Sequence, residues 1–105
     1  MADNSGTMTE SPAQNLKMHG PEILGIAQRF GVRDVRVFGS IARGTSHSGS
    51  DIDLLVKMEH GRSLLDVIGF EQEVGDLLGV PVDVVEEGGV HPLLERRILA
   101  EARPI

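Results

Sequence analysis

Two aspartates separated by one residue form the strongest chemical signal in this sequence. Asp51 and Asp53 enclose Ile52 and run directly into the apolar residues 54–56. Side chains two positions apart on a strand point to the same face, so the two carboxylates converge while Ile52 points into the core. Paired carboxylates together with substrate phosphates are the usual ligands of Mg²⁺. An isolated pair of this kind is more often a solvated strand start, but an aspartate beside a buried run is costly without a partner.

A glycine–serine pair precedes the two aspartates. Gly39 and Ser40 follow the alternating segment 34–38. A glycine at the end of a strand lets a ligand approach the backbone closely. Ser40 is predicted to cap a short helix, whose free N–H groups and positive dipole end attract phosphate. Arg43 lies about one turn further and could reach a phosphate oxygen. Alone, these residues are better explained as an ordinary capped turn with Arg43 exposed to solvent, and they match neither a P-loop nor a dinucleotide fingerprint.

A third acidic residue, Asp83, lies in the segment 82–86. Val82 and Val84 share one face of this predicted strand, so Asp83 points to the other face. If the strand is a neighbour of the Asp-x-Asp strand, Asp83 completes a cluster of three carboxylates. The alternative is an exposed aspartate on an edge strand.

The elements that must position these residues follow from the spacing of apolar side chains. Helical segments are predicted at about 21–30, 39–44, 63–78 and 91–102. Strands are predicted at 34–38, 51–58 and 82–86. The predicted order is α-β-α-β-α-β-α, an α/β (α+β) domain in which a small mixed β-sheet is flanked by helices. On the last helix, Arg97 and Glu101 are four positions apart and are predicted to form a weak ion pair.

Length, composition and charge restrict the possible functions. The 105 residues, 40% hydrophobic and 25% charged, suit one folded unit, and we predict a disordered tail over 1–15 and a domain over 16–105. The sequence has no apolar run long enough to span a bilayer, no features of a secretory signal and no cysteine, so we expect a cytoplasmic location. Ten basic against sixteen acidic residues weigh against long nucleic acid as a ligand.

Together, these motifs resemble the nucleotidyltransferase superfamily typified by DNA polymerase β. Its signature is Gly-Ser, about ten residues, Asp-x-Asp on a strand and a later third aspartate. Here ten residues, 41–50, separate Ser40 from Asp51, and Asp83 follows. The run FGSIARGTSHSGSDIDLLV is similar to the minimal nucleotidyltransferases of prokaryotes. The resemblance covers about residues 20–102 and implies the nucleotidyltransferase fold.

The resemblance implies a magnesium-dependent transfer of a nucleotide. Asp51 and Asp53 would ligate two Mg²⁺ ions bound with a nucleoside triphosphate, expected to be ATP. Asp83 would complete one metal site and help to deprotonate the acceptor hydroxyl. The hydroxyl would attack the α-phosphorus in line, and pyrophosphate would leave.

The same resemblance implies how the donor is held. Gly39 and Ser40 would bind its β- and γ-phosphates, and Arg43 is a further candidate that the signature does not fix. His47, in the loop before the aspartates, is expected to be a solvated loop residue rather than a ligand.

The acceptor is expected on another protein chain, because the sequence has no room for an acceptor-binding domain. Minimal members are commonly encoded beside a helical RNase toxin of the HEPN type. The leading hypothesis is therefore an antitoxin that transfers AMP to a tyrosine hydroxyl of such a toxin. Two alternatives stay open. One is an antitoxin that acts by steric binding alone, and the other is a small-molecule nucleotidyltransferase of the aminoglycoside type with a partner subunit.

Overall fold

A computed structural model describes residues 11–47 and 50–105 of the chain. Its helices are α1 (Pro12–Met18), α2 (Gly20–Arg29), α3 (Ser40–Arg43), α4 (Leu64–Leu78) and α5 (Pro92–Glu101). Its strands are β1 (Val32–Phe38), β2 (Ile52–Met58), β3 (Val82–Glu86) and β4 (Arg103–Pro104). The predicted series from α2 to α5 is present in order. The structure adds α1 before it and β4 after it.

The strands of the described residues form one mixed sheet in the order β3-β2-β1-β4. β1 is antiparallel to both β2 and β4, whereas β2 is parallel to β3. A parallel pair needs a crossover connection, which α4 supplies between β2 and β3. The register places Phe38 opposite Asp53, and Asp53 opposite Asp83. The mixed sheet predicted from the sequence is therefore confirmed.

Strand β2 is the most deeply buried part of the sheet. Its apolar residues 52 and 54–56 have no exposed surface. The large side chains from the helices that are also fully buried are Ile23, Phe70 and Val74. Burial on this scale gives β2 a close-packed and rigid setting, since a buried side chain has little room to move. Asp53 thus lies between fully buried residues of β2.

The predicted tail of residues 1–15 ends too late. Helix α1 begins at Pro12, inside that segment, while residues 1–10 lie outside the described part of the chain. Ser11 and Gln14 form a reciprocal capping box, and the side-chain amide of Asn15 donates to the carbonyl of Leu78 at 2.8 Å. Serine before Pro12 and glutamine three residues later is a helix-start pattern that polar composition concealed.

Helix α4 confirms the strongest helical prediction. Ser63 and Asp66 form its capping box, and Gly79 ends it in the left-handed conformation. The buried residues of α4 recur at helical spacing and face the sheet, namely Val67, Phe70, Val74 and Leu78. Across the described ranges, none of the helices has the length and apolar character needed to cross a membrane.

Candidate active site

The predicted acidic residues meet at one end of the central strands. Asp53, half-buried on β2, is the direct neighbour of Asp83 on the parallel strand β3, so their side chains share a face of the sheet. Asp51 is exposed and lies just before β2 rather than within it. It still stands close enough to Asp53 to influence that carboxyl electrostatically. The structure therefore brings the three aspartates together.

The ionised form of Asp53 is unfavourable in this setting. Partial burial raises the pKa of its carboxyl, and the neighbouring carboxylates of Asp83 and Asp51 raise it further. The guanidinium of Arg43 opposes the shift, and the carboxylate of Glu101 adds to it. A site that disfavours its own negative charge has a net attraction for a cation.

Gly39 makes room for the Asp53 carboxylate. Its backbone has φ 75° and ψ −148°, a conformation that is essentially restricted to glycine. A Cβ atom at this position would lie 2.3 Å from Oδ2 of Asp53, well inside van der Waals contact. The Gly39 N–H donates a hydrogen bond to Oε2 of Glu101 at 2.8 Å. In this structure the amide is thus engaged, and the contribution of Gly39 that can be seen is the close approach of Asp53.

Ser40 is the first residue of α3 rather than its predicted cap, because Gly39 occupies the N-cap position. Its carbonyl accepts from the N–H of Thr45 at 2.9 Å. Its hydroxyl makes no hydrogen bond to any residue in the ranges 11–47 and 50–105. A serine hydroxyl that has no hydrogen-bond partner among the described residues, one residue after the glycine that contacts Asp53, could bind a ligand.

Glu101 is the site residue that sequence reasoning missed. Its carboxylate pairs with Nη1 of Arg43 at 3.2 Å rather than with Arg97, so the predicted ion pair within the last helix is wrong. The physical reason is competition, since Arg43 and the Gly39 amide together bind both carboxylate oxygens. These contacts link positions 62 and 58 residues apart, and no local pattern predicts how α5 packs.

A cavity of about 320 Å³ adjoins the acidic residues. Its lining includes the charged residues Arg43, Asp83 and Glu101 and apolar residues such as Val85 and Leu94. A cleft with this mixed lining suits a ligand that carries both charged and apolar groups. His47, exposed in the loop before β2, does not line it.

The donor set fits a hard cation that shares its coordination with a ligand. Among the residues described, no three acidic or histidine side chains are arranged so that they could hold a metal ion alone. The carboxylates of Asp53 and Asp83 nevertheless share one face of the sheet, with Asp51 just before β2, and Gly39 leaves space for the carboxylate of Asp53. Mg²⁺ is commonly bound by one or two carboxylates with substrate phosphates and water.

Comparison with known proteins places this arrangement among nucleotide-transferring enzymes. Residues 22–105 match the family profile described as the nucleotidyltransferase domain. The chain is 40% identical over 76 residues to the protein adenylyltransferase MntA of Thermococcus cleftensis, which covers 72% of this chain and 77% of that protein.

Solved structures agree with this result. A structure described as a minimal nucleotidyltransferase is 41% identical and has a TM-score of 0.81, covering 92% of this chain and 99% of the other. A more distant structure, with a TM-score of 0.64 and 16% identity, contains a tri-AMPylated HEPN toxin from Shewanella oneidensis in complex with an MNT antitoxin. It covers 84% of this chain and 69% of the other, and it shows the shared fold alone.

Proposed function

Because this chain belongs to the nucleotidyltransferase domain family, we propose that it is an antitoxin that transfers AMP from ATP, with Mg²⁺, to a tyrosine hydroxyl of a HEPN-type toxin. The observation that carries the proposal is the register of the sheet. Asp53 lies beside Asp83 and against Gly39, with Ser40 and Arg43 on the following turn. Carboxylates that could bind a metal ion thus lie next to groups that could donate hydrogen bonds to phosphate.

The proposed reaction assigns a task to each part of the site. Asp51, Asp53 and Asp83 would hold two Mg²⁺ ions, which supply charge neutralisation at the triphosphate. The Ser40 hydroxyl and the Arg43 guanidinium would orient the β- and γ-phosphates, while Gly39 keeps the carboxylate of Asp53 accessible.

The proton of the acceptor hydroxyl would pass to Asp83. A new bond forms between the acceptor oxygen and the α-phosphorus, and the bond from that phosphorus to the bridging oxygen of pyrophosphate breaks. AMP is then joined to the acceptor, and pyrophosphate carries away the leaving electron pair.

A protein acceptor is supported by the kind of protein that this chain resembles. The adenylyltransferase relative and the toxin–antitoxin structure share its fold, and in the latter the toxin carries AMP. The apolar lining residues Val85 and Leu94 offer an aromatic side chain a contact surface in the same cavity as Asp83. The cytoplasmic location stays a prediction.

The decisive experiment is transfer of label from α-³²P-ATP to the helical protein encoded by the adjacent reading frame. We expect labelling with Mg²⁺ that EDTA abolishes and that falls by at least about a hundredfold in Asp53→Ala. Asp76→Asn, an exposed carboxylate on α4, serves as the control and should label normally. Replacing the acceptor tyrosine of the toxin by phenylalanine should remove the label.

Three results would contradict the proposal. Toxin that is neutralised equally by Asp53→Ala and by the unaltered protein indicates an antitoxin acting by steric binding. Label found on an aminoglycoside, with none on the toxin, indicates a small-molecule enzyme. Equal labelling of the toxin by Asp53→Ala would show that the acids described above are not the catalytic groups.

A further inference from the structure

Glu101 connects the last helix to both ends of the turn that carries Ser40. Its Oε2 atom accepts from the Gly39 N–H at 2.8 Å, immediately before α3. Both of its carboxylate oxygens lie 3.2 Å from Nη1 of Arg43, the last residue of α3. One carboxylate from a distant part of the chain thus binds the residue before the turn and the residue that ends it.

The contact with Glu101 adds to the backbone hydrogen bonds that close this short turn, and it also fixes the side chain of Arg43. Helix α3 has four residues, and no side chain in the described part of the chain caps its start. The side chain of Arg43 is 54% exposed, so without a partner it would sample many rotamers. The Glu101 carboxylate is more enclosed, with 29% of its side chain exposed, and it is anchored by the backbone amide of Gly39.

The contact also controls where the positive charge of Arg43 is placed. Both carboxylate oxygens of Glu101 accept from Nη1 of Arg43. Within the described residues the Nε and Nη2 groups of Arg43 make no hydrogen bond, so they can meet an anion. Glu101 thereby holds the guanidinium beside the Gly39 amide.

We propose that Glu101 is a positioning residue that fixes the Gly39 amide and the Arg43 guanidinium, so that Arg43 and Ser40 meet the phosphates of the nucleotide. The inference rests on the proposed nucleotidyltransferase function and deepens it. It connects helix α5, which has no part in the sequence signature, to the binding of the donor.

The test compares Glu101→Gln with a matched control on the same helix. Glutamine can still accept from the Gly39 amide but has no charge for Arg43. We expect the dissociation constant for Mg-ATP and the KM for ATP to rise by about tenfold, with kcat changed by less than about threefold. Glu95→Gln is the control, because the Glu95 carboxylate also accepts from a glycine amide, that of Gly88, away from the site. Its dissociation constant should stay within about twofold of the unaltered value.

A double mutant separates positioning from a general loss of structure. If Glu101 acts through Arg43, adding Glu101→Gln to Arg43→Ala should change the dissociation constant by less than about twofold. If Glu101 had a purely structural role, Glu101→Gln would instead lower the melting temperature and weaken Mg-ATP binding equally with Arg43 and with Arg43→Ala. Circular dichroism of each variant checks the fold, and Glu101→Asp should restore part of the affinity by returning the charge.

Two outcomes would overturn the inference. Tighter ATP binding by Glu101→Gln would mean that Glu101 competes with phosphate for the same donors. An unchanged dissociation constant would mean that the contact has no role in nucleotide binding. Failure of the proposed function would look different. If the protein binds Mg-ATP with the expected dependence on Glu101 but labels no toxin, only the proposed acceptor is wrong.

Discussion

The Asp53 carboxylate fits against Gly39 because glycine has no Cβ atom. Gly39 adopts a backbone conformation that other residues avoid, and its missing Cβ leaves the space that Oδ2 of Asp53 occupies. Asp53 lies on β2 between residues that are fully buried, so moving its backbone away from Gly39 would disturb the core. The glycine and the aspartate therefore act as one unit, although 14 positions separate them.

Gly39→Ala should disrupt the site and the fold together. The added Cβ would meet Asp53 at 2.3 Å, and the φ of 75° is strained for alanine, so we expect a loss of about 1–3 kcal/mol in the free energy of unfolding. Transfer activity should fall below detection, because Asp53 must move. Urea denaturation and the labelling assay measure the two effects.

Gly79→Ala is the matched control for this variant. Gly79 has a φ of 73° and no atom within 4 Å of a built Cβ, so alanine there costs about 1 kcal/mol without loss of activity. If Gly39→Ala retained normal activity, the close approach of Asp53 would have no functional importance.

Asp53→Asn should stabilise the protein in the absence of metal. The pKa of Asp53 is raised in the folded protein, so the unfolded chain ionises first as the pH increases and the fold loses stability across that range. This loss of stability is complete above the pKa of Asp53 in the folded protein, and it is absent below the pKa of Asp53 in the unfolded chain. Asparagine removes it, and we expect a gain of up to about 1 kcal/mol at pH 7, since the carboxyl is partly exposed to solvent.

Urea titrations at pH 7 and near pH 3, with EDTA present, check this expectation. The difference between Asp53→Asn and the unaltered protein should shrink at the lower pH. Added Mg²⁺ with ATP should stabilise the unaltered protein more than Asp53→Asn. A destabilised Asp53→Asn at pH 7 would contradict the electrostatic account of the site.

Among the elements, α4 and α2 determine how the sheet is covered. Gly69 of α4 faces Phe30, the residue that ends α2, and a Cβ built on Gly69 would lie 2.5 Å from Cε1 of that ring. Phe30 in turn packs against the buried core. The absence of a side chain at residue 69 therefore sets the spacing between these two helices.

Gly69→Ala should consequently destabilise the protein, although replacing glycine by alanine inside a helix usually stabilises it. Alanine normally stabilises a helix interior relative to glycine by about 1 kcal/mol, but displacing the Phe30 ring should leave a net loss of about 1–2 kcal/mol. Gly75→Ala, in the same helix, is the control. Its built Cβ meets only the Val80 carbonyl at 3.5 Å, an ordinary contact, so this variant should gain about 0.5–1 kcal/mol. Denaturant unfolding of the two variants should give opposite signs.

For the molecule as a whole, the sequence was informative where the contacts are local. The order from α2 to α5 and the grouping of Asp51 with Asp53 follow from spacing within short segments. Placing Asp83 beside them required only that β2 and β3 be neighbours, which the connecting helix α4 favours. Helix α1 was missed because its capping residues lie in a polar segment, and the two residues of β4 are too few to form a pattern.

Glu101 shows why the remainder of the site was not predictable. Arg97, four positions earlier on the same helix, satisfies the usual spacing rule for an ion pair, yet the carboxylate binds Gly39 and Arg43 instead. The partners of Glu101 depend on how α5 packs near the end of β1, and the packing of the whole domain determines that position. Long-range contacts of this kind depend on the assembled fold rather than on any short window of sequence.

The contact between Gly39 and Glu101 also imposes an order on biosynthesis. A ribosome releases residue 39 long before residue 101, so the turn that carries Ser40 leaves the exit tunnel without the carboxylate that holds it. The β1–β4 pairing, which joins Arg36 to Pro104, is completed later still. A nascent chain can therefore expose Asp51 and Asp53 before α5 docks, and Gly39 and Arg43 gain their carboxylate partner only when that helix is in place.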